Sequence, residues 1–492
     1  MSKMNRREWL GSVAPVLAAA PRAAAPRAGR PKNVLFLLSD QHSPRALGID
    51  GDPYARTAHL DQLAASGVRF GSAYCTNPVC TPSRASILTG LYTHHHRTWS
   101  NRTPWPFEVK TMAHTFGRAG YISALIGKMH FVDAQTHGFD YRLDFNDWFQ
   151  YLGPKTKIYA EELGKENSGS GLPQIDALWE DYGDPWIGTR SPDERKSAVH
   201  PGRPSKLAER DHFESFVSRE SIRFLRKYGK QQPFFLISSY LKPHDPFMPA
   251  ERFARMFPPD GIRLPETWKK VDLATVPREI RERIQNNSGM PELSDPAMVR
   301  LRIAMYYANL AQLDDCIGQV LNTLRELDLD EDTIVVYSSD HGEMLGAHGL
   351  WHKFVFYEQS VGVPLIIRVP GLSPAGERAA TPVSLVQLFA TLAEACGIPV
   401  PAGLDGSSLV PVLREPAKVL DSTVYSEFAL GTPNAKYMIR RGDLKYSFYV
   451  NDSDELYDLR ADPQEMRNLA SLLEHRGRVE EMKAQLLAWS RG

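Results

Sequence analysis

Five short runs dominated by Val, Ile, Leu and Phe constrain this chain most: NVLFLLSD (residues 33–40), YISALIGK (121–128), PFFLISSY (233–240), TIVVYSSD (333–340) and VPLIIRV (363–369). Continuous apolar runs of this length read as strands covered on both faces, since a strand with one wet face alternates apolar and polar residues. Segments of helical pattern stand between them, such as HLDQLAASG and MAHTFGRAG, each closed by a glycine. Strand alternating with helix predicts an α/β fold, a mainly parallel mixed sheet sandwiched by helices. Near the end of the chain the pattern changes. STVYSEF, KYMIRRGDLKYSFYV and DELYDLR are short alternating strands with a hairpin turn at Arg441-Gly442-Asp443, followed by a helix from about Leu469 to Trp489. We expect a large domain over residues 30–415 and a smaller antiparallel α+β subdomain over residues 416–492.

In an open sheet of this class, ligands gather beyond the carboxyl ends of the strands. The polar residues fall there. Asp40, Gln41 and His42 follow the first run, Lys128 and His130 the second, Lys242 and His244 the third, Asp340 and His341 the fourth. Any one of these would usually be a solvated loop residue, but four strands releasing ionisable or metal-binding groups at one end point to a site. Lys242 reads as a salt-bridge partner only. The stretches 151–210 and 244–296, rich in Gly, Pro and charge, are the segments expected to choose the substrate.

Lysine plus arginine equals aspartate plus glutamate at 58 each, so no net field draws the chain to nucleic acid or an anionic membrane. At the N-terminus, Arg6 and Arg7 precede a short apolar run over residues 13–20, which reads as a twin-arginine export signal over residues 1–29. That run is too short to span a bilayer and no later one is long enough, so we expect no membrane span and a periplasmic or secreted location. Cys316, inside a helical pattern, and Cys396, before a glycine, read as apolar core thiols, while Cys75 is ambiguous.

The stretch NPVCTPSRASILTG (residues 77–90) sets Cys80 just ahead of a helix. Thr81 reads as its N-cap, Pro82 as its first residue and Gly90 as its end, so Cys80 sits where backbone N–H groups and the helix dipole favour an anion. A thiolate phosphatase loop requires arginine six positions on, where this chain has Ser86. A plain reactive thiol, its pKa lowered by Arg84 and the dipole, remains open.

Cys80-Thr81-Pro82-Ser83-Arg84 followed by LTG closely resembles the sulfatase signature C-x-P-S-R. NVLFLLSDQ, GKMHF, KPHDPF and SSDHGEMLGAHGLWHK are similar to further motifs of that family, and the C-terminal strands resemble its terminal subdomain. The resemblance implies an alkaline phosphatase-like fold and hydrolysis of sulfate esters. It implies that a maturation enzyme converts Cys80 to formylglycine, whose hydrate attacks sulfur. It also implies a divalent cation, Ca²⁺ first and Mg²⁺ or Mn²⁺ as alternatives, held by Asp40, Gln41, Asp340, His341 and residue 80.

By the same resemblance, Arg84 and Lys128 polarise the nucleophile, and His130 is the base that releases sulfate. His244 and Lys353 hold sulfate oxygens and assist the leaving group, and Asn101 contacts the transferred group. Gln41 and His341, where many sulfatases have Asp and Asn, resemble the branch of choline sulfatase and phosphonate monoester hydrolases. That makes hydrolysis of phosphonate monoesters or phosphodiesters the alternative activity. The implied substrate is a sulfated small molecule or glycan.

Other features have plainer readings. His94, His95 and His96 point in different directions from one turn and read as a partly solvated helix end, not a metal site. Asp314 and Asp315 sit mid-helix and read as surface or cap-bonding groups. Trp99, Trp105, Trp148, Trp179 and Trp186 read as loop-packing aromatics before a sugar platform.

Overall fold

In the first strand, Leu35 and Leu37 face one side of a sheet and Val34, Phe36 and Leu38 the other, and all five are fully buried. This is the packing that a continuous apolar run predicts. The computed structural model describes residues 33–131, 135–162, 202–420 and 422–491. The expected export signal, Trp179, Trp186 and most of the 151–210 insertion lie outside the described residues.

The main sheet comprises β1 (Asn33–Asp40), β2 (Val68–Tyr74), β3 (Ile122–Gly127), β4 (Tyr141–Leu143), β5 (Phe234–Pro243), β6 (Thr333–Ser339), β7 (Gly362–Arg368), β8 (Glu377–Ala379) and β9 (Val383–Ser384). Their spatial order is β4-β3-β5-β1-β6-β7-β2-β8, with β9 also on β2. β1 pairs in parallel with β5 and β6, and β3 in parallel with β4 and β5. β7 runs against both β6 and β2. All five apolar runs are strands, but the fifth is antiparallel. The chain leaves β6 at the site end, stays there through residues 340–361, and enters β7 from that same end. No crossover returns it to the far edge, as a parallel strand would need.

The helices α1 (Ala58–Ser66), α2 (Cys80–Thr89), α3 (Phe213–Tyr228) and α4 (Pro296–Glu326) cover the sheet. Residues of α1, α3 and α4 share a core with Leu35, Leu37, Leu236 and Tyr337. Ala85, Ile87 and Leu88 of α2 pack with Val34, Phe36, Ile237 and Val336 on the other face. Asp314 of α4 accepts the backbone N–H groups of His59 (3.0 Å) and Leu60 (2.9 Å), so it caps α1, one of the two roles expected of it.

A second, antiparallel sheet holds β10 (Thr423–Phe428), β11 (Lys436–Arg441), β12 (Leu444–Tyr449) and β13 (Glu455–Asp458) in sequence order. Gly442, at φ 59°, makes the tight turn between β11 and β12. Its covering helix α5 (Arg476–Trp489) starts seven residues later than expected. The Asn468 side chain accepts the N–H groups of Leu456 and Ala470, each at 3.0 Å, and Leu469 N–H bonds to Leu456 O at 2.8 Å. These bonds tie the segment to the sheet and delay the helix.

All four cysteines are free thiols, and Cys396 is half-buried where a core position was expected. No described helix is long and apolar enough to cross a membrane. Trp105 packs on Phe131 and His137 as a loop-packing residue, whereas Trp148 sits on a helix, Phe145–Leu152, where it joins the main core and its Nε1 donates to Asp211 O. Trp99 is exposed. His94 and His95 pair with Glu427 and Asp405, and buried His96 with Ser86 Oγ, three directions from one turn.

Candidate active site

Helix α2 begins at Cys80 itself, two residues before the expected start at Pro82. Val79 takes the cap position in an extended conformation and offers no capping side chain. Asn101 Oδ1, from a distant loop, instead accepts the Thr81 N–H at 3.0 Å. A donor satisfied from outside removes the need for Thr81 as a cap, so Thr81 becomes the second helical residue. Gly90 ends the helix in the left-handed region, as expected.

One turn into α2, Arg84 is wholly buried and ties together four strands, β1, β3, β5 and β6, at their site end. Its Nε donates to Asp340 Oδ2 (2.6 Å) and its Nη2 to Asp40 Oδ2 (3.0 Å). Nη1 donates to Lys128 O (2.7 Å) and Ser239 Oγ (2.8 Å). A planar fork of five donors suits this task, where a lysine ammonium has three donors clustered on one atom. Lys128 Nζ adds a second cation on Asp40 Oδ2 at 2.6 Å.

These contacts set two carboxylates around Cys80. Its Sγ lies 3.2 Å from His341 Nε2, 3.2 Å from Lys353 Nζ, 3.9 Å from Asp40 Oδ1 and 3.9 Å from Lys128 Nζ. Ligand atoms of Asp40, Cys80, Asp340 and His341 all lie within 4.8 Å of one another, and all four residues are buried. The electrostatics follow from that crowding. Burial and Cys80 push the Asp40 carboxyl up, but Lys128, His244 and Arg84 outweigh them and hold it well below the carboxylate range. Burial raises the Cys80 thiol, while Lys128, Lys353 and His341 and a hydrogen bond from His130 bring it well below its ordinary value. Burial lowers His130, so its imidazole is neutral near pH 7. Burial also lowers His341, yet the neighbouring Asp340 leaves it raised.

Residues 32–398 match the sulfatase family profile, and residues 346–491 match the profile of the N-sulphoglucosamine sulphohydrolase C-terminal region. The chain belongs to the sulfatase family. It is 31% identical over 459 residues to a choline-sulfatase of Rhizobium meliloti, covering 90% of this chain and 83% of that protein. It is 28% identical over 471 residues to an arylsulfatase of Clostridium perfringens, covering 92% and 93%. The fold is shared with the phosphonate monoester hydrolase of Agrobacterium radiobacter at a TM-score of 0.74 and 24% identity, over 94% and 95% of the two chains. This sulfatase is therefore a sulfuric ester hydrolase with an alkaline phosphatase-like sheet.

Among the remaining expected site residues of the sulfatase, His244 and Gln41 meet at Lys353, which touches Cys80. His244 follows β5, held by its backbone N–H on Asp40 O at 3.1 Å, and its Nε2 lies 3.0 Å from Lys353 Nζ. Burial lowers Lys353, but Cys80, Asp40, Asp340 and Asp245 raise it above the ordinary lysine value, so it stays charged. Gln41 stands beside them with its Oε1 2.9 Å from Lys353 Nζ. His42 turns away, bonded to Tyr337 and to Ala46 O, and burial lowers its pKa to about 4. Lys242 donates to Met248 O and lies 3.7 Å from Glu214, outside the site as expected.

Two buried acids were not singled out in the sequence. Asp245 and Glu343 both touch the Gln41 amide. Each follows a strand end by a few residues, Glu343 within the same SSDHGEMLGAHGLWHK stretch as Asp340 and Lys353, so strand-end placement was their one available signal.

Proposed function

We propose that this sulfatase converts a sulfate ester to alcohol and inorganic sulfate with a formylglycine made from Cys80 and one divalent cation, Ca²⁺ in preference to Mg²⁺ or Mn²⁺. The observation that carries the reading is the convergence of Asp40, Asp340 and His341 on Cys80, beneath the three buried cations Arg84, Lys128 and Lys353. Two carboxylates, the Gln41 carboxamide and an imidazole form an oxygen-rich donor set that fits such an ion. A cation held by these residues would lower the pKa of a hydroxyl on the hydrated aldehyde at residue 80, the group that would act as nucleophile toward sulfur.

Arg84 and Lys128 offset the Asp40 charge and keep the site positive where sulfate arrives, so an anion is favoured locally in a chain without net charge. Lys353 and His244, in contact with each other, bind sulfate oxygens and supply a proton to the departing alcohol. His130, kept neutral by burial and bonded to residue 80, accepts a proton there as sulfate leaves. Asn101, its Oδ1 committed to Thr81, has Nδ2 to offer a sulfate oxygen. The substrate class is a sulfated small molecule or glycan. A formylglycine-generating enzyme is the maturation partner, and the Arg6-Arg7 segment supports export to the periplasm or beyond.

The test combines peptide mass with turnover. After co-expression with a competent maturation enzyme, the peptide holding residue 80 should have lost its sulfur, and Cys80→Ala should reduce hydrolysis of an aryl sulfate by at least about 10³-fold. An active enzyme with an intact thiol there overturns the mechanism. Faster turnover of an aryl phosphonate or a phosphodiester than of the sulfate moves the reading to the activity that Gln41 and His341 favour.

A further inference from the structure

The Gln41 amide is held from both ends. Its Oε1 accepts from Lys353 Nζ at 2.9 Å, while its Nε2 donates to Glu343 Oε2 and, at 3.4 Å, to Asp245 Oδ1. Charge alone fixes which end is which. An amide turned over would set its NH₂ against an ammonium and its carbonyl against two carboxylates. The backbone is pinned as well, with Gln41 N–H on Asp340 Oδ1 at 3.2 Å and Tyr306 Oη donating to Gln41 O at 3.0 Å. Glu343 has its other oxygen, Oε1, on the N–H groups of Leu345 (3.0 Å) and His352 (2.7 Å), so the same carboxylate braces the loop that delivers Lys353. Gln41, Asp245 and Glu343 are all buried, where neither acid finds water as a substitute partner.

We infer that Glu343, assisted by Asp245, is a positioning residue that turns the Gln41 carbonyl toward the cation, and that the two acids make glutamine, and not aspartate, the residue this site requires at position 41. The inference rests on the cation-dependent reading above. An aspartate at 41 would be the stronger ligand in isolation, but here it would place three carboxylates together away from water, and their repulsion opposes the gain. Replacing Glu343 by glutamine removes the acceptor that orders the amide. Making both changes restores the wild-type count of two carboxylates and one amide, with the roles of positions 41 and 343 exchanged.

The test is calorimetric titration of Ca²⁺, and in parallel Mn²⁺, into the chelator-stripped full chain. Wild type, Glu343→Gln, Gln41→Asp and the double variant are compared, with melting temperatures of the metal-free proteins recorded alongside. Each single variant should bind about 10- to 100-fold more weakly, and the double variant should bind more tightly than either. Glu343→Gln binding as wild type does, or a double variant no tighter than the singles, overturns the inference. If Glu343→Gln does not fold, Asp245→Asn with its own Gln41→Asp pairing carries the same comparison. A wild type that binds neither ion removes the cation reading itself, an outcome distinct from wild-type binding that Glu343→Gln leaves unmoved.

Discussion

Asn101 separates what a residue's type announces from what its neighbours make of it. Its side-chain oxygen satisfies the first turn of the helix bearing Cys80, from twenty residues beyond Thr81. Asn101→Ala should therefore cost about 1 kcal/mol of stability, the usual price of a lost helix cap, seen as a lower melting temperature. If Nδ2 also meets sulfate, KM rises as well; an unchanged KM reduces Asn101 to a cap. Cys80, Asp40, Gln41, Asp340 and His341 could be picked out beforehand because each lies at a strand end or helix start, where local pattern says which way the chain is going. Glu343 could not be assigned its role, since its partner Gln41 lies 302 residues away and nothing in either neighbourhood encodes that meeting.

Among elements, long apolar runs identified themselves and short or interrupted ones did not. β2, VRFGSAY, carries Gly71 and Ser72 where it is exposed or half-buried, so it has neither a continuous run nor a strict alternation. β4, β8 and β9 have two or three residues each and form because longer neighbours offer them an edge. The direction of β7 depends on where the loop before it goes, which periodicity does not encode. The close approach of β3 and β5 at the site end is likewise a tertiary demand, and it falls on Gly127. At φ 116°, a Cβ there would lie 1.8 Å from Ser239 O, the oxygen that accepts the Lys128 N–H. Gly127→Ala must spread these strand ends and displace Lys128, whose carbonyl also holds Arg84. We expect a loss of about 3 kcal/mol from overpacking and backbone strain, with kcat falling at temperatures where the variant is still folded. Wild-type kcat in a merely less stable protein would show that the strand junction does not position the site.

At the scale of the whole molecule, the small sheet is fastened to the large one by buried charge. Lys445 of β12 bonds to Glu358 (2.7 Å), to Phe356 O (2.8 Å) and to Glu465 (2.5 Å), and Arg440 of β11 reaches Ser72 and Tyr74 of β2. Glu358 and Phe356 lie between the Lys353 loop and β7, so the fastening bears on the segment that ends the active site. Two acids share one lysine. Burial raises Glu465, Lys445 lowers it and Glu358 raises it again, leaving its pKa at about 7 against an ordinary 4.5. A carboxyl raised on folding binds its proton more tightly in the native state, so its contribution to stability is complete below about pH 4.5 and is lost as pH rises through about 7. A shift of that size corresponds to stability on the order of 2 kcal/mol in so coupled a cluster. Glu465→Gln keeps a neutral side chain at every pH, so its melting temperature between pH 5 and pH 8 should fall less than that of wild type. Parallel curves for the two proteins would mean that Glu465 is ionised throughout, and that Lys445 neutralises both acids at once.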